Sequence, residues 1–360
     1  MDGGRSLSLD CCNPNRPATR HRRRIKGQLD MRNFLTSKAT SLWWVASGIG
    51  TAVIVLLPFF GSASVADISF RVCTFIIIAV SWNLMAGAGL VSLGHSGFWG
   101  LGSYAAILCV NKLGLSFAAS LVPATLVGAI VGAGLARITG RLSGIYFAIS
   151  TLAMSEGFRV VAVMLPDLTG GANGSYLDAS RFPGSVAVTL VAALGAILTV
   201  GTSWVLSRSR FQFALRAMRD NESASQMLGV EPMRYRLAIM ALSGAMASLA
   251  GGINVWRGGY LDPGVAFDLA ITIDAQIAPI LGGIYTLPGP VIGSIMTVAL
   301  GEFTRLAFGD IVGVSLLLYG ILLVVSVLAL PNGIYGAVAA WAKKRRLGLP
   351  GTLEILGKIP

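Results

Sequence analysis

Ten apolar stretches, each about 20 residues long, leave this chain little alternative to folding inside a lipid bilayer. They lie at roughly 42–60, 68–86, 93–111, 116–136, 144–165, 185–206, 237–256, 269–286, 291–308 and 314–330. In hydrocarbon a helix can bond all its backbone groups internally, so the expected fold class is an all-α integral membrane protein with about ten transmembrane or re-entrant helices. Composition agrees. Only 12% of the 360 residues are charged and 54% are hydrophobic, whereas a soluble domain carries about 25% charge. Two stretches carry signals against an unbroken helix. Segment 93–111 has glycines at 94, 97, 100 and 102, each costing about 1 kcal/mol relative to alanine. Segment 269–286 holds Pro279 followed by Gly282-Gly283 and is expected to break near that end.

The basic residues set the expected orientation. With both termini cytoplasmic, the loops on that side carry 22 of the 28 Lys and Arg residues, at 1–41, 137–143, 207–236 and 331–360. The outer connections carry only Lys112, Arg181 and Arg257, the asymmetry expected when positive loops stay inside. This divides the chain into a basic cytoplasmic tail (1–41), a transmembrane domain (42–335) interrupted by a cytoplasmic segment (207–236), and a second basic tail (336–360). About 40 polar, Arg-rich residues precede the first apolar run and no small-residue cleavage site follows it closely, so that run is expected to stay as an anchor. The net charge of +12 then meets anionic membrane lipid, and no nucleic-acid partner is expected.

The residue inventory excludes several chemistries. His21 and His95 are the only histidines, and neither a CxxC pair nor a cysteine framework is present, so no metal is expected. A P-loop needs Gly-x-x-x-x-Gly-Lys-Ser/Thr, but the stretch from Gly351 to Gly357-Lys358 has one residue too many and continues into Ile359. The chain is expected to bind no ATP, to hold no cofactor and to have no catalytic residues.

Glycine- and proline-interrupted apolar segments point to a transport site, because a broken helix presents free N–H and C=O groups inside the membrane. Here they are 89–104, 169–175 and 281–294, which make His95, Gly97, Gly171, Asn173, Gly282 and Gly283 candidates for a substrate pathway. Close helix packing is the other reading, since Gly128/Gly132, Gly140/Gly144 and Gly289/Gly293 all have small-xxx-small spacing. Glu156/Arg159 and Glu302/Arg305 stand three apart and so share a helix face. Each is either a local ion pair or, for Glu156 in particular, part of a polar passage. These pairs and Asp274 would also suit a secondary transporter driven by an ion gradient. In the cytoplasmic interruption, apolar residues at 213, 217, 224 and 228 suggest one short amphipathic helix ended by Gly229, lying on lipid or docking on a soluble partner.

Ordered motifs across 68–335 resemble the permease subunits of ABC importers for branched-chain amino acids, of the LivM-like kind. They are Trp82-Asn83-Leu84-Met85-Ala86-Gly87 with Ser92-Leu93-Gly94-His95-Ser96-Gly97-Phe98; Arg141 to Ala148 with Thr151-Leu152-Ala153; Thr169 to Gly174; Leu215 to Glu222 with Leu228-Gly229; and Leu281-Gly282-Gly283 with Gly289 to Gly293. The resemblance implies a non-enzymatic permease of the bacterial cytoplasmic (inner) membrane. Its implied partners are a related permease, two cytosolic ATPases that bind the ATP, and an extracytoplasmic solute-binding protein. Relatives of this kind also carry urea, amides or aromatic acids. The resemblance further implies that 216–229 is the coupling helix that enters an ATPase, with Arg216, Arg219, Asp220, Glu222 and Gly229 as coupling residues. The family pattern Glu-Ala-Ala-x-x-x-Gly is met with one extra residue, as Glu222-Ser223-Ala224 followed by Gly229.

Overall fold

The computed structural model describes residues 63–178, 182–308 and scattered positions between 317 and 336. The apolar segment 42–60 and the N-terminal tail lie outside the described residues, and only isolated positions of 314–330 and one of the C-terminal tail fall within them. The chain runs through α1 (Ala63–Gly87), α2 (His95–Leu113), α3 (Phe117–Ile138), α4 (Gly144–Met164), α5 (Ser185–Arg208), α6 (Arg210–Asp220), α7 (Glu222–Met227), α8 (Pro232–Gly258), α9 (Leu269–Gly282) and α10 (Pro288–Phe308). Two dipeptide strands, β1 (Ser175–Tyr176) and β2 (Tyr260–Leu261), pair antiparallel. The all-α membrane class is borne out: six stretches, on α1, α3, α4, α5, α8 and the run Pro263–Gly282 that includes α9, are long and apolar enough to span a bilayer.

Boundaries follow local chemistry. Gly114 and Gly259 end α2 and α8 in the left-handed conformation, at φ 67° and 66°. Pro232 opens α8, where a missing N–H costs nothing. Despite Gly97, Gly100 and Gly102, α2 is a continuous helix, and Gly94 is its N-cap. Helix α9 stops at Gly282, just past Pro279, so its 14 residues reach only about 21 Å at 1.5 Å each, short of a roughly 30 Å hydrocarbon core.

The long helix α8 is the axis of the bundle and packs against α3, α2, α1 and α5. Lipid offers no hydrophobic drive for helices to associate, so close van der Waals fit must supply the adhesion. Glycines provide it here. A Cβ on Gly102 of α2 would meet the backbone of Ser248, and one on Gly128 or Gly132 of α3 would meet the backbone of Gly244 or Met240. Gly251 sits likewise against the Trp99 carbonyl. Hydroxyls then stitch the seam, with Ser248 donating to the Phe98 carbonyl at 2.7 Å and Ser243 to the Ser81 carbonyl at 2.8 Å. The packing expectation holds for Gly128/Gly132, and also for Gly289/Gly293, which press on Gly283 and Ala278. Gly140/Gly144 do not share a helix: Gly140 lies in the turn after α3, packed against Met233 of α8, and only Gly144 meets open space, at φ 57°.

Contacts at the helix ends sort the connections into two sets. At one end, Gly89 lies against Arg219, the Arg219 guanidinium stacks on Tyr285 at 4.3 Å, and Arg236 reaches the turn 140–142. At the other, Arg257 bonds Asp67 and Ser185, Lys112 donates to the Asp167 carbonyl at 2.9 Å, and β1 pairs with β2. Helices α1 to α5 and α8 to α10 therefore alternate in direction across the bundle.

Candidate functional site

At the first end, the segment expected to be one amphipathic helix is two. Asn221 leaves the helical path (φ −161°, ψ 108°) and its side chain accepts from the Ala224 N–H at 3.0 Å, ending α6 and capping α7. The helical register restarts there, so the expected apolar face does not form. Phe213, Ala224 and Leu228 point outward, while Ala214, Leu215, Met218 and Ser225 are buried. Gly229 does adopt the left-handed conformation expected of a helix end, at φ 85°. Immediately before it, Met227 and Leu228 protrude with 90% and 82% of their surface exposed.

The expected coupling residues part company. Arg216 and Asp220 are exposed, and Arg219 lies over Tyr285 while also contacting Asp220 at 3.4 Å. Glu222 accepts a hydrogen bond from Arg236 Nη2 at 2.7 Å. Arg236 is buried, and its Nη1 donates to the carbonyls of Gly140 at 2.7 Å and Leu142 at 3.0 Å. The sequence reading missed Arg236, because a pair 14 residues apart across a helix break has no periodic signature.

Tyr285 is the one non-glycine residue at positive φ (63°) among the described residues. Such a conformation needs external support. Asn83 supplies it, accepting from the Tyr285 N–H and donating to the Thr286 carbonyl, both at 3.0 Å. Its neighbour Trp82 donates to the Ser92 carbonyl at 2.9 Å. Two adjacent side chains of α1 thus clamp the breaks before α2 and after α9.

The candidate pathway residues do not form one cluster. His95 is fully buried in the helix seam, with Nε2 3.2 Å from Ser243 Oγ. Gly97 packs against Ser155 and Phe158 of α4. Beside it, Ser96, Ser155 and Thr272 share hydroxyl contacts of 2.9–3.1 Å, joining α2, α4 and α9. At the other end, Gly171 is buried at φ 59° and Asn173 is exposed, its carbonyl accepting from Tyr260 OH at 3.1 Å. Gly282 and Gly283 let α9 approach the start of α10.

Helix α4 stands apart. Only 28% of its apolar window is buried, against 67% for α8. Its outward face reads Tyr146, Ile149, Ala153, Gly157, Val160 and Met164, large at both ends and small in the middle. Glu156 and Arg159 flank this face, paired at 2.7 Å with nearly half of each side chain exposed.

Residues 64–327 match the family profile described as the permease component of the branched-chain amino acid transport system. The chain belongs to this permease family. It is 28% identical to LivM of Salmonella typhimurium over 312 residues, covering 78% of this chain and 72% of that one. LivM of Escherichia coli matches equally, at 28% over 310 residues, again 78% of this chain and 72% of the relative. LivH of Salmonella typhimurium is 26% identical over 294 residues, 73% of this chain and 91% of the relative. All three relatives are named as high-affinity branched-chain amino acid transport system permease proteins. The protein is thus a multi-pass permease of the cytoplasmic membrane, from a family that moves solutes rather than transforming them.

Proposed function

We propose that this permease is one half of the membrane channel of an ABC importer for branched-chain amino acids, powered by ATPase subunits that dock on α6 and α7. The profile match across 64–327 carries this reading. The protruding Met227 and Leu228 support the docking site, since two large apolar side chains at the tip of a polar segment call for a partner that covers them. ATP is held by those partners, and this chain needs no cofactor of its own. A related permease completes the channel, and a solute-binding protein delivers substrate to the opposite end, around 166–178 and 258–268.

In this arrangement the passage lies between the two permeases, along the outward face of α4. A chain with Glu156 and Arg159 exchanged retains the ion pair, and a pair this exposed is worth no more than about 1 kcal/mol. Membrane level is therefore expected to be unchanged while uptake falls sharply. Unchanged uptake would remove Glu156 from the passage.

The α6–α7 end is proposed to face the cytoplasm, with ten crossings and both termini on that side. Cysteines placed at Asn173 and Asp262 are then expected to react with an impermeant thiol reagent from outside, and those at Gly140 and Ser223 only after the cytoplasmic face is opened. Ser223 is the suitable probe because Ser225 is buried. Outside reaction at Ser223 would reverse the orientation and remove the docking role.

A further inference from the structure

We infer that Arg236 is a positioning residue that passes the movement of the α6–α7 segment to α4, through the turn that joins α3 to α4. The inference rests on the proposed docking of ATPases at that segment. One planar guanidinium grips two otherwise separate elements: Nη2 holds Glu222 at the start of α7, and Nη1 holds the carbonyls of Gly140 and Leu142. A lysine could not reproduce this fork, because its single nitrogen lacks the fixed planar geometry.

The burial of Arg236 strengthens the grip. The side chain is 6% exposed and Glu222 is 35% exposed, so little water competes at the guanidinium end of the pair. Its Nε is also buried and has no hydrogen-bond partner among the described residues.

The receiving side is built to move. Leu142 is followed by extended Ser143 and then Gly144, which sits at φ 57° with open space where a Cβ would lie. Beyond this joint α4 is the least buried of the six spanning stretches, and among the described residues its main packing is on α2, with a smaller contact to Pro263–Ala266. That contact lies at Gly94 against Thr151 and Gly97 against Ser155, about midway along α4. Displacement of the 140–144 turn would tilt α4 about this contact, carrying Glu156 and Arg159 beyond it. Helices α3 and α8 are held to each other by backbone-to-backbone glycine contacts, so the 140–144 joint is the softer element.

The test uses the assembled importer in lipid nanodiscs, with spin labels at exposed sites. One label pair joins Ser223 on α7 to Val265 at the far end, and the other joins Tyr146 on α4 to Val265. Both distances are expected to change when a non-hydrolysable ATP analogue binds the intact complex. In Glu222→Gln and Arg236→Gln chains the Ser223 distance should still change, while the change at Tyr146 is lost. ATPase subunits remain bound, and hydrolysis is no longer raised by substrate-loaded binding protein. Glu222→Gln keeps the test open should Arg236→Gln fail to reach the membrane. A Tyr146 change equal to wild type in the variants overturns the role of Arg236 and leaves the docking site standing. No change at Ser223 in the wild-type complex overturns the docking site, and the role of Arg236 with it.

Discussion

A Gly102→Val chain is expected to fail to accumulate in the membrane. Its Cβ would occupy the space of the Ser248 backbone on α8, and no flexible side-chain end is there to move aside. Inserting atoms into a close-packed interior costs about 1–3 kcal/mol where side chains can adjust. Here two backbones must separate, and with them the Ser248 hydroxyl leaves the Phe98 carbonyl. Against a total stability of about 5–15 kcal/mol, that loss removes a large part of the margin. Gly251→Val, which faces the Trp99 carbonyl, should behave in the same way. Gly134→Ala is the matching control: it lies in α3 with nothing near its Cβ position, and alanine favours a helix by about 1 kcal/mol over glycine. Immunoblots of membrane fractions check all three. Normal levels of Gly102→Val would mean that the glycine seam does not hold the bundle together.

The second large effect is expected at the tip of the α6–α7 segment. Met227→Asp with Leu228→Asp should leave the membrane helices intact, because both side chains already face solvent. Binding of the ATPase subunits should collapse. Burying one such side chain is worth about 2 kcal/mol, or roughly 30-fold in affinity, and the two together approach a thousandfold. Gly229→Asp should add to this by straining the left-handed turn that presents the tip, at a cost of about 1–2 kcal/mol. Glu222→Lys is expected to act differently, because Glu222 holds Arg236 within the chain. It should impair transport while leaving the apolar contact in place. Retention of the ATPases on affinity-purified permease distinguishes these variants. Undiminished retention in the double aspartate chain would place the docking surface elsewhere.

These expectations mark where the sequence could be read and where it could not. Membrane helices were legible because crossing hydrocarbon demands about 20 apolar residues in a row, a requirement no tertiary contact can disguise. Glu156/Arg159 and Glu302/Arg305 were legible for a similar reason, since three residues along a helix always share a face. The α6–α7 segment was misread because helical periodicity was carried through Asn221. Its side chain caps α7 and resets the register, and the buried residues are Ala214, Leu215, Met218 and Ser225 rather than Phe213, Ala224 and Leu228. Asn before Glu is a recognisable helix start, and giving it weight would have exposed the break. Glycines divide along the same line. Gly128 and Gly132 follow a spacing rule on one helix, whereas Gly140 and Gly144 obey it in sequence yet fall on either side of a helix break, Gly140 in a turn and Gly144 at the start of α4. Arg236 and Asn83 act across about 95 and 200 residues of chain, on carbonyls and amides whose positions only the folded backbone defines.

The most direct test of the whole account is uptake by proteoliposomes holding this permease with its partner permease and ATPases, with substrate-loaded binding protein outside. Radiolabelled leucine should accumulate only when ATP is sealed within, and accumulation should persist after an uncoupler and an ionophore abolish every ion gradient. Uptake that proceeds without ATP and collapses with the gradient would contradict the account and identify a secondary transporter instead.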